Sequence, residues 1–274
     1  MVVVLPGDEI RDAAPSMAQT KLGPGMLPTP SDNEQGAVSF TPIRAGALGH
    51  VEKAERSRAG PAPPVHAWYV DGLQRRYVPA AGDRVIGQVT NRGMESYTVT
   101  LFSAHSATLP VLAFEGATRR NRPNLEVGAL VYARVVRAES WTEPEISCVD
   151  AVTGKAEGLG ELKSAEPDTA MVWPVACSLA QSLLRPQHPL LKHVAAHFSF
   201  EAAVGVNGLV WIRTASPEHA VAMGRVLAAA DDTLRAPSTR SPGEPVPSPH
   251  TLHKRVAVRG DLPSAEIARL VRLA

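Results

Sequence analysis

The sequence predicts a mixed β and α+β chain in three parts: a small amino-terminal β domain, a five-stranded barrel and a carboxy-terminal α+β domain. Three observations predict this. Short apolar runs cut by Gly and Pro fill the opening segment, five β-prone segments crowd into the middle, and the apolar period becomes helical beyond about residue 165. A length of 274 residues fits two or three small domains, or one large one, at about 100–200 residues each.

Composition excludes several classes. A hydrophobic content of 44% with 20% charged residues belongs to a globular chain rather than a disordered one. No apolar run approaches the ~18–20 residues of a membrane-spanning helix. The apolar Met1–Leu5 run lacks a basic leader and Pro6-Gly7-Asp8 ends it, so no secretory signal is expected. Cys148 and Cys177 are the only cysteines, too few for a disulfide framework or a Cys-rich zinc site, and a reducing compartment is expected. A net charge of +1 excludes a strongly basic nucleic-acid coat. Of the 28 positive residues, 22 are Arg, which suits phosphate forks and base stacking, and equally suits a GC-rich genome.

Pro and Gly cluster at Arg58–Pro64 and at Arg235–His250, which read as a linker over 51–65 and a mobile insertion over 235–255. The expected domains are therefore 1–50, 66–152 and 165–274. In the first, VVVLPGD, KLGPGMLP and AVSFTPIRAG are β signals, and about 50 residues make only a marginal core alone. In the second, strands are expected at Arg84–Thr90, Tyr97–Phe102, Ala107–Phe114, Leu130–Val136 and Glu145–Val149, a pattern that suits an OB-type barrel. In the third, a strand at Met171–Val175 precedes helices at Ser178–Leu184 and Leu190–Phe198, separated by Pro186 and Pro189. A hairpin of Phe200–Val204 and Leu209–Arg213 follows, then a helix that Ser216 caps and Pro217 opens. That β-α-α-β-β-α order is the order of a KH domain, and a last helix starts at Ser264.

These residues carry a family resemblance. Gly82-Asp83-Arg84-Val85-Ile86-Gly87-Gln88-Val89 resembles the first strand of an S1-type OB domain. The runs Phe114–Asn124 (FEGATRRNRPN) and Gly205–Trp211 (GVNGLVW) resemble signatures of the S1/KH cap subunits of the eukaryotic RNA exosome, of the exosome component 3 type. VLPGDEI and KLGPG resemble that family's small β domain. FEGATRRNRPN is the most specific element, because it separates this subunit type from its sister cap proteins. The resemblance implies a non-catalytic protein without cofactor or metal, in a hetero-oligomer with RNase-PH-like ring subunits and other cap subunits. It implies that single-stranded RNA is threaded to a nuclease on a separate subunit, in nucleus, nucleolus and cytoplasm, for rRNA processing and RNA decay.

OB surfaces hold single strands by combining a basic groove with aromatic platforms. The groove residues are Arg119, Arg120 and Arg122, extended by Arg92 and Arg134; their rival role is pairing with acidic residues of a ring subunit. The platforms are Tyr97, Phe102 and Phe114, with His105 as a weaker one; alternation puts Tyr97 and Phe102 on opposite faces. The joint between the first two KH-like helices contains no Gly, which argues against a GXXG phosphate clamp. Gly205, Asn207 and Gly208 instead read as a structural hairpin turn, and Trp211 as a core or interdomain anchor.

Enzyme readings find little. His193 and His197 stand at i and i+4, but Val194 occupies the place of the metalloprotease Glu and no third ligand is evident. Glu143, Glu145, Asp231 and Asp232 do not assemble a two-metal carboxylate cluster. The rival functional reading is a stand-alone OB/KH RNA-binding adaptor in translation or ribosome assembly, which would bind RNA without obligate partners.

Overall fold

The computed structural model describes residues 3–12, 19–23, 25–29, 38–53, 56–57, 60–61, 65–71, 76–139, 141–150, 153–163, 168–185, 188–232, 260 and 262–272. The expected 235–255 insertion lies outside the described residues. Two compact units divide the chain, one ending near residue 73 and one beginning there.

The first unit contains β1 (Val3–Val4), β2 (Ile10–Asp12), β3 (Gln19–Leu22), β4 (Met26–Thr29), β5 (Val38–Pro42), β6 (Gly46–Lys53), β7 (Arg56–Ser57), β8 (Gly60–Pro61) and β9 (Val65–Asp71). They form a four-stranded sheet in the order β1-β6-β9-β3, a three-stranded sheet β2-β5-β4 and the short pair β7-β8. Phe40 and Trp68, both wholly buried, pack with Val4, Ile10, Met26, Leu48 and Val70 into one core. The expected boundary at residue 50 falls inside β6, and the expected linker at 51–65 overlaps β6, β7, β8 and the start of β9. Strands β6 and β9 pair antiparallel from Ala47↔Asp71 to Lys53↔Val65, so both belong to one sheet of this unit.

The second unit begins with the barrel: β10 (Arg84–Arg92), β11 (Ser96–Thr100), β12 (Ser106–Pro110), β13 (Leu130–Arg137) and β14 (Glu145–Ser147), with β15 (Gly160–Glu161) added to β13. Strand β10 closes it by pairing with β13 through its first half and with β11 through its second. Tyr97, Val99, Ala107, Leu109, Val131, Ala133, Val135 and Ile146 alternate inward, as period two requires. Burial pushes the Cys148 thiol up to about 12, so Cys148 serves as packing rather than as a nucleophile.

The KH-like part follows as β16 (Thr169–Pro174), α1 (Cys177–Leu183), α2 (Pro189–Ala195), β17 (Phe200–Gly205), β18 (Leu209–Thr214) and α3 (Pro217–Asp232), then α4 (Ser264–Arg272). The sheet order is β16-β18-β17. Pro189 opens α2 and the His188 ring accepts from Leu190 N at 3.3 Å. Leu179, Leu190, Val194, Ile212, Met223, Val226 and Ile267 form its core.

Asn207, in the β17–β18 turn and 4% exposed, joins the two parts. Its Oδ1 accepts from Ile86 N at 3.2 Å, and its Nδ2 donates to Ile86 O at 2.7 Å and Leu101 O at 3.0 Å. The reason lies in the ladder. Gln88 faces Thr100, so continued pairing would set Phe102 opposite Ile86, but Phe102 turns away with φ +56°. The Asn207 amide takes the vacant position and imitates a peptide group. Val206 N donates to Arg84 O at 2.8 Å, and the Tyr132 hydroxyl donates to Val204 O at 3.1 Å. A Cβ on Gly205 would strike Asn207 Oδ1 and Ile86 N, and Gly208 needs its φ of +79°. Trp211, 5% exposed, belongs with Ala203, Val206 and Leu209 to the barrel's core cluster, although it stands on a KH-like strand.

Asn207→Ala orphans Ile86 N, Ile86 O and Leu101 O, and is expected to cost about 2–4 kcal/mol in chemical denaturation. Phe102→Gly removes a left-handed non-Gly residue and is expected to stabilise by about 1 kcal/mol, read as an upward shift of the same transition.

Candidate nucleic-acid interface

The β12–β13 connection bears the Arg cluster on an ordered turn. Thr118 N donates to Asn121 O at 2.9 Å and Asn121 N to Thr118 Oγ1 at 3.0 Å, leaving Arg119 and Arg120 at the exposed centre. Arg122 has a different part. Its Nη1 donates to Met94 O at 2.9 Å and its Nε to Arg119 O at 3.3 Å, so it struts this turn against the β10–β11 hairpin. It keeps its charge beside the cluster, with two of its five N–H donors engaged by carbonyls. That strut brings the Arg119–Arg122 turn against the hairpin that carries exposed Arg92.

Tyr97 anchors the same turn from beneath. The expected stacking role is corrected: Tyr97 is 2% exposed, its hydroxyl donates to Pro123 O, and Leu125 N reaches that hydroxyl at 3.5 Å. A ring inside the barrel offers no face to a base. Phe114 is half-buried against the barrel core, and its carbonyl accepts Ala117 N at 3.1 Å just before the Arg turn.

Other expected residues stand elsewhere. Arg134 does not extend the groove. Its guanidinium binds Asp150 at 2.6 Å, and its residue faces Arg84 in register, eight positions down β10 from Arg92. At ~3.3 Å per strand residue that separation is about 26 Å along the strand. Phe102, 53% exposed, and exposed His105 lie together on the β11–β12 connection, beside the Asn207 junction rather than the Arg turn. The structure thus joins Arg119, Arg120, Arg122 and the Arg92 hairpin over Tyr97, and separates them from Arg134 and Phe102.

Met94, 87% exposed at the hairpin tip, and Trp141, 79% exposed between β13 and β14, are not among the expected residues. Neither sits in a periodic pattern that would mark it. His193 and His197 share no helical face, because α2 ends at Ala195. Among the described residues no group of three or more His, Cys, Asp or Glu side chains converges as a metal site.

The family description "Exosome complex component RRP40, S1 domain" matches residues 77–160, and "KH domain" matches residues 171–218. The chain is 40% identical to exosome complex component rrp40 of Schizosaccharomyces pombe over 76% of its length and 80% of that protein's. It is 36% identical to exosome complex component RRP40 of Saccharomyces cerevisiae, over 82% and 86% of the two chains. A solved structure 18% identical in sequence superposes with a TM-score of 0.50, covering 72% of this chain and 96% of its own, a likeness of fold alone.

Tyr97→Phe is expected to cost about 1–2 kcal/mol by orphaning Pro123 O, and to leave binding of a single-stranded oligonucleotide to the folded protein unchanged within twofold. Denaturation and fluorescence anisotropy measure the two effects.

Proposed function

Because the chain belongs to the family of exosome complex component RRP40, we propose that it is a non-catalytic cap subunit of an RNA exosome. In this reading it closes an RNase-PH-like ring and guides single-stranded RNA into the channel for exonucleolytic processing and decay. One observation carries it. Strand β10 commits its first half to the KH-like part through Ile86, while its other end meets the Arg119–Arg122 turn and stays open to solvent. The open end offers Arg92, Arg119 and Arg120 to phosphates or to acidic side chains of a ring subunit.

The reaction belongs to another subunit. Cys148 is buried with its thiol held protonated, and the Tyr77 hydroxyl, raised by burial and by the Asp83 carboxylate, donates to that carboxylate at 2.8 Å. Both are structural. A net charge of +1 suits a subunit whose RNA grip is weak and shared rather than a free-standing RNA binder. Ring and sister cap subunits are the partners, the substrates include rRNA precursors, and the compartments are nucleus, nucleolus and cytoplasm.

Tagged protein drawn from native extract is expected to co-elute in size-exclusion chromatography with RNase-PH-like subunits in one stoichiometric complex. Elution alone, as a small species that binds RNA unaided, overturns the reading. Replacing Arg119, Arg120 and Arg122 with Ala is expected to weaken RNA capture by the complex about tenfold, or to weaken assembly. If RNA capture is the step affected, the salt dependence flattens by about 1.4 log–log units, at ~0.7 for each of the two phosphate contacts of Arg119 and Arg120. No change in either capture or assembly removes the Arg turn from the interface.

A further inference from the structure

The barrel's fourth connection, between β13 and β14, has no part in the Arg-bearing end. It exposes Trp141 at 79%, whereas Trp68 and Trp211 are 0% and 5% exposed. Covering so large an apolar ring releases free energy at ~25 cal/mol per Å² of apolar surface removed from water. The approach to the loop is shaped in the same sense. A bulge between Val135 and Arg137, opposite Ile146 and Glu145, breaks the β13–β14 register and leaves Val136 51% exposed.

The carboxy-terminal side of the loop is tied to β12. Thr142 N donates to Glu139 O at 3.4 Å, Thr108 N donates to Pro144 O at 2.9 Å, and the Thr108 hydroxyl donates to Glu143 Oε2 at 3.3 Å. Holding the Glu143–Pro144 side of the loop on β12 lowers the ordering cost of docking. Charge selects the class of partner. Residues 137–145 carry Glu139, Glu143 and Glu145 against Arg137 alone, and Arg137 already faces Glu145 at 4.0 Å. Carboxylates around an aromatic ring repel phosphates, so the patch does not suit RNA; they attract Lys and Arg.

We propose that the β13–β14 loop is a protein-docking knob. Trp141 enters an apolar pocket on another protein of the assembly, with Val136 at its edge, and Glu139 and Glu143 pair with Lys or Arg on that pocket's rim. Central aromatic anchors ringed by polar contacts supply most of the affinity of such interfaces. This inference rests on the cap-subunit reading and adds to it a second attachment point, separate from the Arg turn.

Hydroxyl-radical oxidation read by mass spectrometry tests it, with the full chain alone, with a 15-nucleotide oligouridine, and reconstituted with RNase-PH-like ring and cap subunits. Buried Trp68 and Trp211 are internal references. The expected result is at least fivefold protection of Trp141 in the protein assembly and none from oligouridine. Trp141→Ala is expected to leave the melting temperature unchanged and to weaken binding to the ring and cap subunits at least tenfold. Glu143→Lys is expected to weaken it further as salt is lowered. An assembly that forms with Trp141 as reactive as in the free chain overturns the knob and leaves the cap-subunit reading standing. Protection by oligouridine alone makes the loop an RNA platform and overturns it as well. Absence of any assembly removes both.

Discussion

Ile86 presents its amide and its carbonyl toward a place in the barrel where no strand stands, and the side chain of Asn207 fills it. Much of the second unit follows from this one substitution of an amide for a peptide group. Were β11 to continue in register, the barrel would have a longer wall and the KH-like hairpin no place to insert. Phe102 breaks the ladder by leaving the β region, Asn207 satisfies what that break exposes, and Trp211 and Val206 then bury against the barrel core. The polar contact fixes the register of the junction, and the apolar surface around it supplies most of the stabilisation. Gly205 and Gly208 exist here for clearance: side chains at either position would separate the hairpin from β10 or collide with Val175 O.

With one part of β10 committed to that junction, the other end is left for contacts outside the chain. Arg122 and Tyr97 show how a small barrel prepares such a surface. One reaches from the turn to the hairpin and the other from the core to the turn, so that Arg119 and Arg120 project from a backbone fixed on both sides. Two exposed guanidiniums thus stand beside a third that is engaged in strutting.

The first unit makes a related point about Pro and Gly. The run from Arg58 to Pro64 has the composition of a tether, yet seven consecutive pairs tie β6 to β9 around it. Local composition describes which backbone angles are permitted. Whether a permissive segment tethers two domains or turns a hairpin depends on the pairing of strands on either side, and for β9 that partner lies more than ten residues upstream.

The sequence by itself determined the elements of the second unit: five alternating β segments, the β-α-α-β-β-α order, the helix started by Ser216-Pro217, and a Gly-Val-Asn-Gly turn of structural rather than phosphate-binding character. Each is written in local periodicity or turn chemistry. It also placed three Arg residues in one loop and Tyr97 opposite in face to Phe102. Only the tertiary structure decided that Tyr97 points inward, that Arg134 is paired with Asp150 far down the strand from Arg92, that Arg122 is a strut, and that Trp141 is left in water. Alternation gives two faces without saying which one is the core, and a charged residue does not name its partner. Those choices arise when the barrel closes and residues dozens of positions apart are brought within hydrogen-bonding distance.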